Sequence, residues 1–431
     1  MSEWSQVRLS DVVTHIKDGT HGTHLRVESG VPFLSAKNVG SGGRLVWDKA
    51  DDLVSYFDYR AITAKFSPKR GDLLLTIVGS VGRSALFDGS EVAFQRSVAF
   101  LRCGDRVLPE YLFQASRAGA FTRQLERRSN VTAQAGLYLG ELAKVVIPLP
   151  SKSQQAKIIA ILTSLDTAIE QTEALIEKHQ QIKAGLMHDL FTRGVLPNGQ
   201  LRPPREQAPE LYRQTPLGWL PSDWGLSNCG HAFTIDSGIT LGPHRWPRKH
   251  AHPYIRVANL HRDEIRMDDV ATLEALPSDA DRVLKRFDLL VVEGHANTAE
   301  IGRCAMVDGN AEGLLFQNHL FRLRALETQA AFALLWLNSH HVQRYWGRAC
   351  ATSSGLNTIN RTMLKAAPFY VPSDAEQSRI TDAVSSSRRQ IRAQSTKLEK
   401  LRAQKLGLMQ DLLTGKVPVK VDRHISEPTD A

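Results

Sequence analysis

Residues able to do chemistry are scattered along this chain, and their spacing decides which chemistry is open to it. Histidines cluster twice, as His21 and His24 in "HGTH" and as His244, His250 and His252 in "HRWPRKHAH". A metal site would need ligands at helical spacing with a third, acidic partner. Neither segment has that pattern, so both read as polar loops and no metal is expected. The four cysteines, Cys103, Cys229, Cys304 and Cys350, form no CxxC pair, which fits neither a disulfide framework nor a structural zinc. The glycine-rich "VGSVGRS" from Val78 to Ser84 lacks the lysine of a phosphate-cradling loop and reads as a hairpin turn. With no GxxxxGK[ST] and no GxGxxG between a strand and a helix, nothing here would seat a nucleotide or a methyl donor. No Ser/His/Asp constellation can be defended by spacing. No catalytic residue is assigned, and the chain reads as a binder.

Charge narrows what it would bind. A net charge of +9 and an isoelectric point near 9.4 suit a polyanion, because each Lys or Arg set against a phosphate releases condensed counterions. Apolar content of 42% and charged content of 23% are those of a globular protein, and 431 residues are enough for two or three cores. No 18-residue apolar run and no export leader is found, so a cytoplasmic protein without a membrane role is expected.

The elements that must position any binding residue come in two copies. "KAGLMHDLFT" from Lys183 and "KLGLMQDLLT" from Lys405 differ at three of ten letters, at an offset of 222. At the same offset Pro150, Ser151, Gln155, Ile158, Ile169, Glu177 and Lys178 match Pro372, Ser373, Gln377, Ile380, Ile391, Glu399 and Lys400. The chain is an internal duplication. Each copy opens on a capping box, "SKSQ" and "SDAE", and runs through a heptad seam to a glycine, Gly194 or Gly415. The spacing predicts two helices of about 40 residues, roughly 60 Å long. Polar seam residues Thr172, His179, Ser387 and Gln394 lie mid-helix, where an antiparallel pairing would gather them into a register-setting layer.

Ahead of each helix, short apolar runs are punctuated by Gly, Pro, Asn and Asp, in the same order in both halves: "VPFLSAKNV", "GDLLLTIVG", "RSALFDG" and "SVAFLRC", then "HPYIRVANL", "FDLLVVEG", "RCAMVDG" and "HLFRLRA". These read as strands, with helical stretches at "LPEYLFQASRAGAFTRQLE" and "TQAAFALLWLNSHHVQRYW". The expected fold is mixed α/β (α+β). Two similar globular domains, 1–150 and 224–372, alternate with long helices at 151–195 and 373–416 that pair as an antiparallel coiled coil, a pseudo-twofold internal repeat. Residues 196–223, rich in proline, read as an extended linker, and 417–431 as a tail.

Over essentially its full length the chain resembles the specificity subunit of a type I restriction-modification system. The resemblance rests on "EWSQVRLSDVV" and its counterpart "LGWLPSDWGLSNCG", on "DGTHGTH", on "GDLLLTIVGSVGRSALF", on "FQRSVAFLR" and "FQNHLFRLR", on the joints "VVIPLPSKSQQ" and "PFYVPSDAEQ", and on the two "GLMxDLxT" helix ends. It implies two target-recognition domains, each reading one half of a split double-stranded DNA site, with the helices as the spacer. It also implies that catalysis lies elsewhere: two modification subunits that methylate adenine with S-adenosylmethionine, and restriction subunits driven by ATP and Mg, with no cofactor in this chain.

The two domains differ far more than the two helices, so an asymmetric site is expected. Candidate DNA contacts are Lys17, His21, His24, Arg26, Lys37, Asn38 and Arg83 in the first domain. In the second they are His244, Arg245, Arg248, Lys249, Asn259 and Arg303. Arg and Asn suit base edges, Lys suits phosphates. The repeated Leu186, Met187, Leu190, Leu408, Met409 and Leu412 are candidates for partner docking or helix pairing. Two other readings stay open: a single-chain enzyme carrying methylation or cleavage itself, and a coiled-coil scaffold without a DNA role.

Overall fold

Two helices far longer than the rest organise the chain, Lys152–Arg193 with 42 residues and Asp374–Leu412 with 39. They belong to a computed structural model that describes residues 4–40, 42–65, 67–129, 136–350 and 358–419. Most of the tail expected at 417–431 lies outside those residues. Both helices run out through a glycine in the left-handed region, Gly194 (φ 64°) and Gly415 (φ 70°), where a missing Cβ removes the steric penalty.

The chain divides into two compact units, Met1–Ala174 with Ser395–Ala431, and Leu175–Gln394. Each unit therefore holds one globular domain, the near end of one long helix and the far end of the other. In the first unit Ile158 and Leu162 share a core with Met409, Leu412 and Leu413. Asp166 pairs with Lys405, and Glu173 with Arg402 at 2.6 Å. As one number rises the other falls, so the segments are antiparallel. In the second unit Leu190 and Phe191 share a core with Ile380 and Val384. Of the mid-helix polar residues, Thr172 and Ser387 are buried, while His179 and Gln394 are half-buried.

The globular parts repeat one plan. In the first, an antiparallel four-stranded sheet runs Val13–Asp18, Val98–Cys103, Leu73–Thr76, Ser84–Leu86; in the second it runs Phe233–Ser237, Leu320–Ala325, Leu289–Val292, Cys304–Met306. A three-stranded sheet lies beside each, centred on Val31–Leu34 and on Ala251–Ile255, with one antiparallel and one parallel neighbour. "VGSVGRS" is the turn joining Leu73–Thr76 to Ser84–Leu86, with Gly79 and Gly82 at positive φ. Each expected helical stretch is two short helices, Pro109–Ser116 with Gly119–Arg128 and Ala330–Leu337 with His340–Ala349.

One glutamine fastens each domain to the helix that follows it. Gln155 and Gln377, both fully buried, accept from the backbone N–H of Leu108 (2.8 Å) and of Gln329 (3.0 Å). Their amides donate to the carbonyls of Pro150 (2.9 Å) and Pro372 (3.0 Å). Both ends of the side chain satisfy buried backbone groups, whose loss is expensive.

Two expectations change. Residues 196–223 are not a bare connector: Tyr212–Thr215 and Gly218–Pro221 form a hairpin, and Leu217 and Leu220 join the second unit's core. Apolar burial outweighs the extended bias of the prolines there. The second capping box is half-formed. The Ser373 hydroxyl accepts from the Glu376 N–H at 3.4 Å. The Glu376 carboxylate, however, is buried and accepts from Arg202, from the Val195 N–H at 2.7 Å and from the Trp224 indole at 3.2 Å.

Candidate nucleic-acid interface

Where the first strand of each large sheet ends, a glycine passes so close to a neighbouring strand that no side chain fits. A Cβ on Gly19 would collide with the carbonyl oxygens of Phe94 and Gln95, and one on Gly238 with those of Phe316 and Gln317. The loops that follow, 20–30 and 240–250, hold most of the sequence-derived candidates.

In the first domain, acids hold the loop's histidines and arginine. His21 Nε2 lies 2.7 Å from Asp18, and His24 Nδ1 lies 3.0 Å from Asp58 while its Nε2 meets Thr20 Oγ1 at 3.1 Å. The His24 contact, helped by Ser55, holds the Asp58 carboxyl below its ordinary value. Arg26 donates to Asp52 at 2.9 Å and lies over the Phe33 ring at 4.5 Å. Thr20, His21 and His24 line a cavity of about 450 Å³ with Phe94 and Phe100. Leu25 and Phe57, the sequence neighbours of His24 and Asp58, are 82% and 83% exposed.

In the second domain the loop is tied to Glu274 and Asp279. Arg245 forms a two-pronged pair with Asp279 and donates to the Glu274 carbonyl at 3.1 Å. Burial opposes ionisation of Asp279, yet Arg245 and the Leu276 N–H keep its carboxyl below the ordinary range. The Glu274 carboxylate accepts from the backbone N–H of Arg248 (2.7 Å) and His250 (3.0 Å). His244, Arg248 and Lys249 are exposed, as is Trp246 at 70%.

Several candidates turn inward instead. Asn38 and Asn259 are buried and do one job: each accepts from the N–H three residues back, Ser35 at 2.9 Å and Arg256 at 3.0 Å. Their amides donate to the Val46 and Arg266 carbonyls across the following turn, at 3.0 and 3.2 Å. Arg303 is buried against Glu300 and the Val257 carbonyl, whereas Arg83, its counterpart in the first domain, is exposed. Neither asparagine, nor Arg245, nor Arg303, presents a free polar edge in this fold. Lys37 is exposed but paired with Asp51 at 2.7 Å; that bond raises the lysine's pKa and, with Asn38 and the Asp48 N–H, lowers Asp51 to about 2. Lys17 is exposed on the strand leading into the first loop. The exposed set is thus Lys17, His21, Arg26, Lys37 and Arg83, and His244, Arg248 and Lys249. Sequence reading missed the acids that set the loops and the exposed Phe57 and Trp246. Of these, Ser55-x-x-Asp58, a helix-capping spacing, was the one visible signal.

The repeated helix-end residues pack into cores. Leu190 is buried, with Leu186 and Met187 packed against the second unit's core. Met409 and Leu412 are buried in the first unit's core, with Leu408 against it. The same cores also hold Ile380 and Val384, and Ile158 and Leu162, of the other long helix. Among the described residues no group of three or more His, Cys, Asp or Glu is placed to hold a metal ion, and no helix is long and apolar enough to cross a membrane.

Residues 1–180 match the type I restriction modification DNA specificity domain. The StySPI specificity subunit of Salmonella potsdam is 22% identical over 88% of this chain and 81% of its own length. The MjaVIII specificity subunit of Methanocaldococcus jannaschii is 21% identical over 97% and 94%. By these matches the chain is similar to the specificity subunits of type I restriction-modification systems. The fold agrees: the S subunit from M. genitalium superposes with a TM-score of 0.54 at 15% identity over 96% of both chains. A chain from a type I system studied for complex assembly and conformational transition gives 0.59 at 17% identity, over 96% of this chain and 98% of its own.

Proposed function

We propose that each globular domain reads one half of an asymmetric, bipartite DNA site through its 20–30 or 240–250 loop, and that the long helices set the spacing between the halves. The observation that carries this is the pairing of one sheet plan with two dissimilar loops, one bearing His21, His24 and Arg26 and the other Arg245, Arg248 and Lys249, each leaving its sheet at the same close-packed glycine. Identical scaffolds bearing different loops would read different bases. Two modification subunits would methylate adenine with S-adenosylmethionine, and restriction subunits would use ATP and Mg to cleave, all in the cytoplasm. Exposed apolar residues on the long helices, Ile182 and Leu406, suit docking better than the packed Leu190 and Leu412.

Mapping methylated adenines in a host carrying this chain and its modification subunit tests the reading. The expected result is two unlike half-sites at fixed spacing; a single contiguous or palindromic motif would overturn it. Adding one heptad to each long helix should lengthen the spacer by roughly three base pairs, at 1.5 Å per helical residue and 3.4 Å per base pair, and leave the half-sites unchanged.

A further inference from the structure

The seats on which the two domains rest are built from the same helix columns with opposite charge. At the offset of 222, Asp166 and Glu170 correspond to Arg388 and Arg392. The domains answer in kind. In each, the turn after the buried asparagine reaches the helices: Arg44 donates to Glu170 at 2.6 Å in the first unit, and Asp263 accepts from Arg388 at 2.6 Å in the second. The residues closing the helices Pro109–Ser116 and Ala330–Leu337 act differently: Arg117 lies 3.7 Å from the helix acid Asp166, whereas Asn338 donates at 2.8 Å to Asp263 of its own domain and so holds that acid in place. The repeated lysine meets an acid in both units, from opposite sides: Lys405 pairs with the helix acid Asp166, Lys183 with the domain acid Asp263 at 3.7 Å.

We propose that this reversal is a sorting key that matches each recognition domain to its own seat and rejects the other. Seated on the wrong helices, the first domain would set Arg44 and Arg117 against Arg388, Arg392 and Lys183. The second would set Asp263 against Asp166 and Glu170, with Lys405 its one cation in place of Lys183 and Arg388. Arg44 and Glu170 are too exposed to contribute much alone. Asp166, Asp263, Lys183 and Arg388 are each about three-quarters covered, and Lys405 more so, so like charges there would be poorly screened. The duplication created two equivalent seats, and charge tells them apart. A domain is then replaceable by another only if its turn carries the charge of that position.

The test is a full chain with segments 4–150 and 224–372 exchanged, joined at the equivalent Trp4 and Trp224 and at Pro150 and Pro372. Its melting temperature should fall by at least about 4 °C below that of the parent. Adding Asp166→Arg, Glu170→Arg, Arg388→Asp and Arg392→Glu to the exchanged chain should recover most of the loss, while the same four changes in the parent should lower its melting. An exchanged chain that melts like the parent overturns the proposal, and so does one that the four changes fail to rescue. If no exchanged chain folds, Asp263→Asn and Arg388→Gln in the parent decide it. The pair should lower the melting temperature by clearly less than the sum of the singles, and strict additivity overturns the key.

Discussion

Gln154 and Glu376 occupy one position in two copies of the same helix start, three residues past a capping serine, and do different work. Gln154 closes its own capping box, accepting from the Ser151 N–H at 3.1 Å, and is half-buried. Glu376 turns inward to Arg202, Val195 and Trp224, which ties the second long helix to the residues just after the first. One carboxylate in place of an amide converts a local cap into a clasp. The backbone plan survived duplication, while side-chain roles were reassigned.

The largest expected effect follows from that contrast. Glu376→Ala leaves Arg202 buried without its principal partner and should cost about 3–5 kcal/mol. Gln154→Ala should cost under about 1 kcal/mol, the scale of one net hydrogen bond. Urea unfolding of both variants checks this, and equal losses would erase the distinction. Next come the helix ends. Leu190→Ala should cost about 2–5 kcal/mol because it opens a cavity in a shared core, whereas Leu406→Ala, on an exposed site, should stay within about 0.5 kcal/mol. If Leu406→Ala nonetheless weakens assembly with a modification subunit in a co-purification assay, the docking face is located.

A third comparison sets inward against outward basic residues of the second domain. Arg303→Ala should destabilise by about 1–3 kcal/mol through the acceptors it abandons. Arg248→Ala and Lys249→Ala should leave melting unchanged but each reduce the salt slope of DNA binding by about 1. Filter binding of the assembled complex across a salt series separates the two classes. The smallest effect is a pH dependence in the first domain. Asp51 is held at about 2 when folded against 3.8 otherwise. Its contribution is therefore complete above about pH 4 and fades as pH falls toward 2. Asp51→Asn should flatten that part of the acid-unfolding curve; an unaltered curve would show that Lys37 and Asn38 do not hold the carboxylate.

The long helices were legible because a heptad seam, a capping serine and a terminal glycine all point the same way, and they were found at 42 and 39 residues. The strand order was legible twice over, each copy supporting the other. The linker was not: two leucines among prolines carry no periodicity, so the burial of Leu217 and Leu220 could not be read from their neighbours. Nor could the candidate contacts be sorted. Asn38 in a polar turn looks the same in sequence whether its amide faces bases or the Val46 carbonyl, and Arg83 and Arg303 share a local context yet face opposite ways. What separates them is the third dimension, the presence of Glu300 and the Val257 carbonyl beside one and not the other.

The tight passage at Gly19 and Gly238 has a consequence for diversification. Because the backbone itself, and no loop side chain, fixes where each loop departs, residues beyond the glycine can be randomised without moving the point of departure. A library varying 20–30 with Gly19 kept, or 240–250 with Gly238 kept, samples new surfaces on an unchanged frame. The same library with Gly19→Ala or Gly238→Ala must first push the neighbouring strand aside. New binding preferences should emerge readily from the first kind of library and rarely from the second.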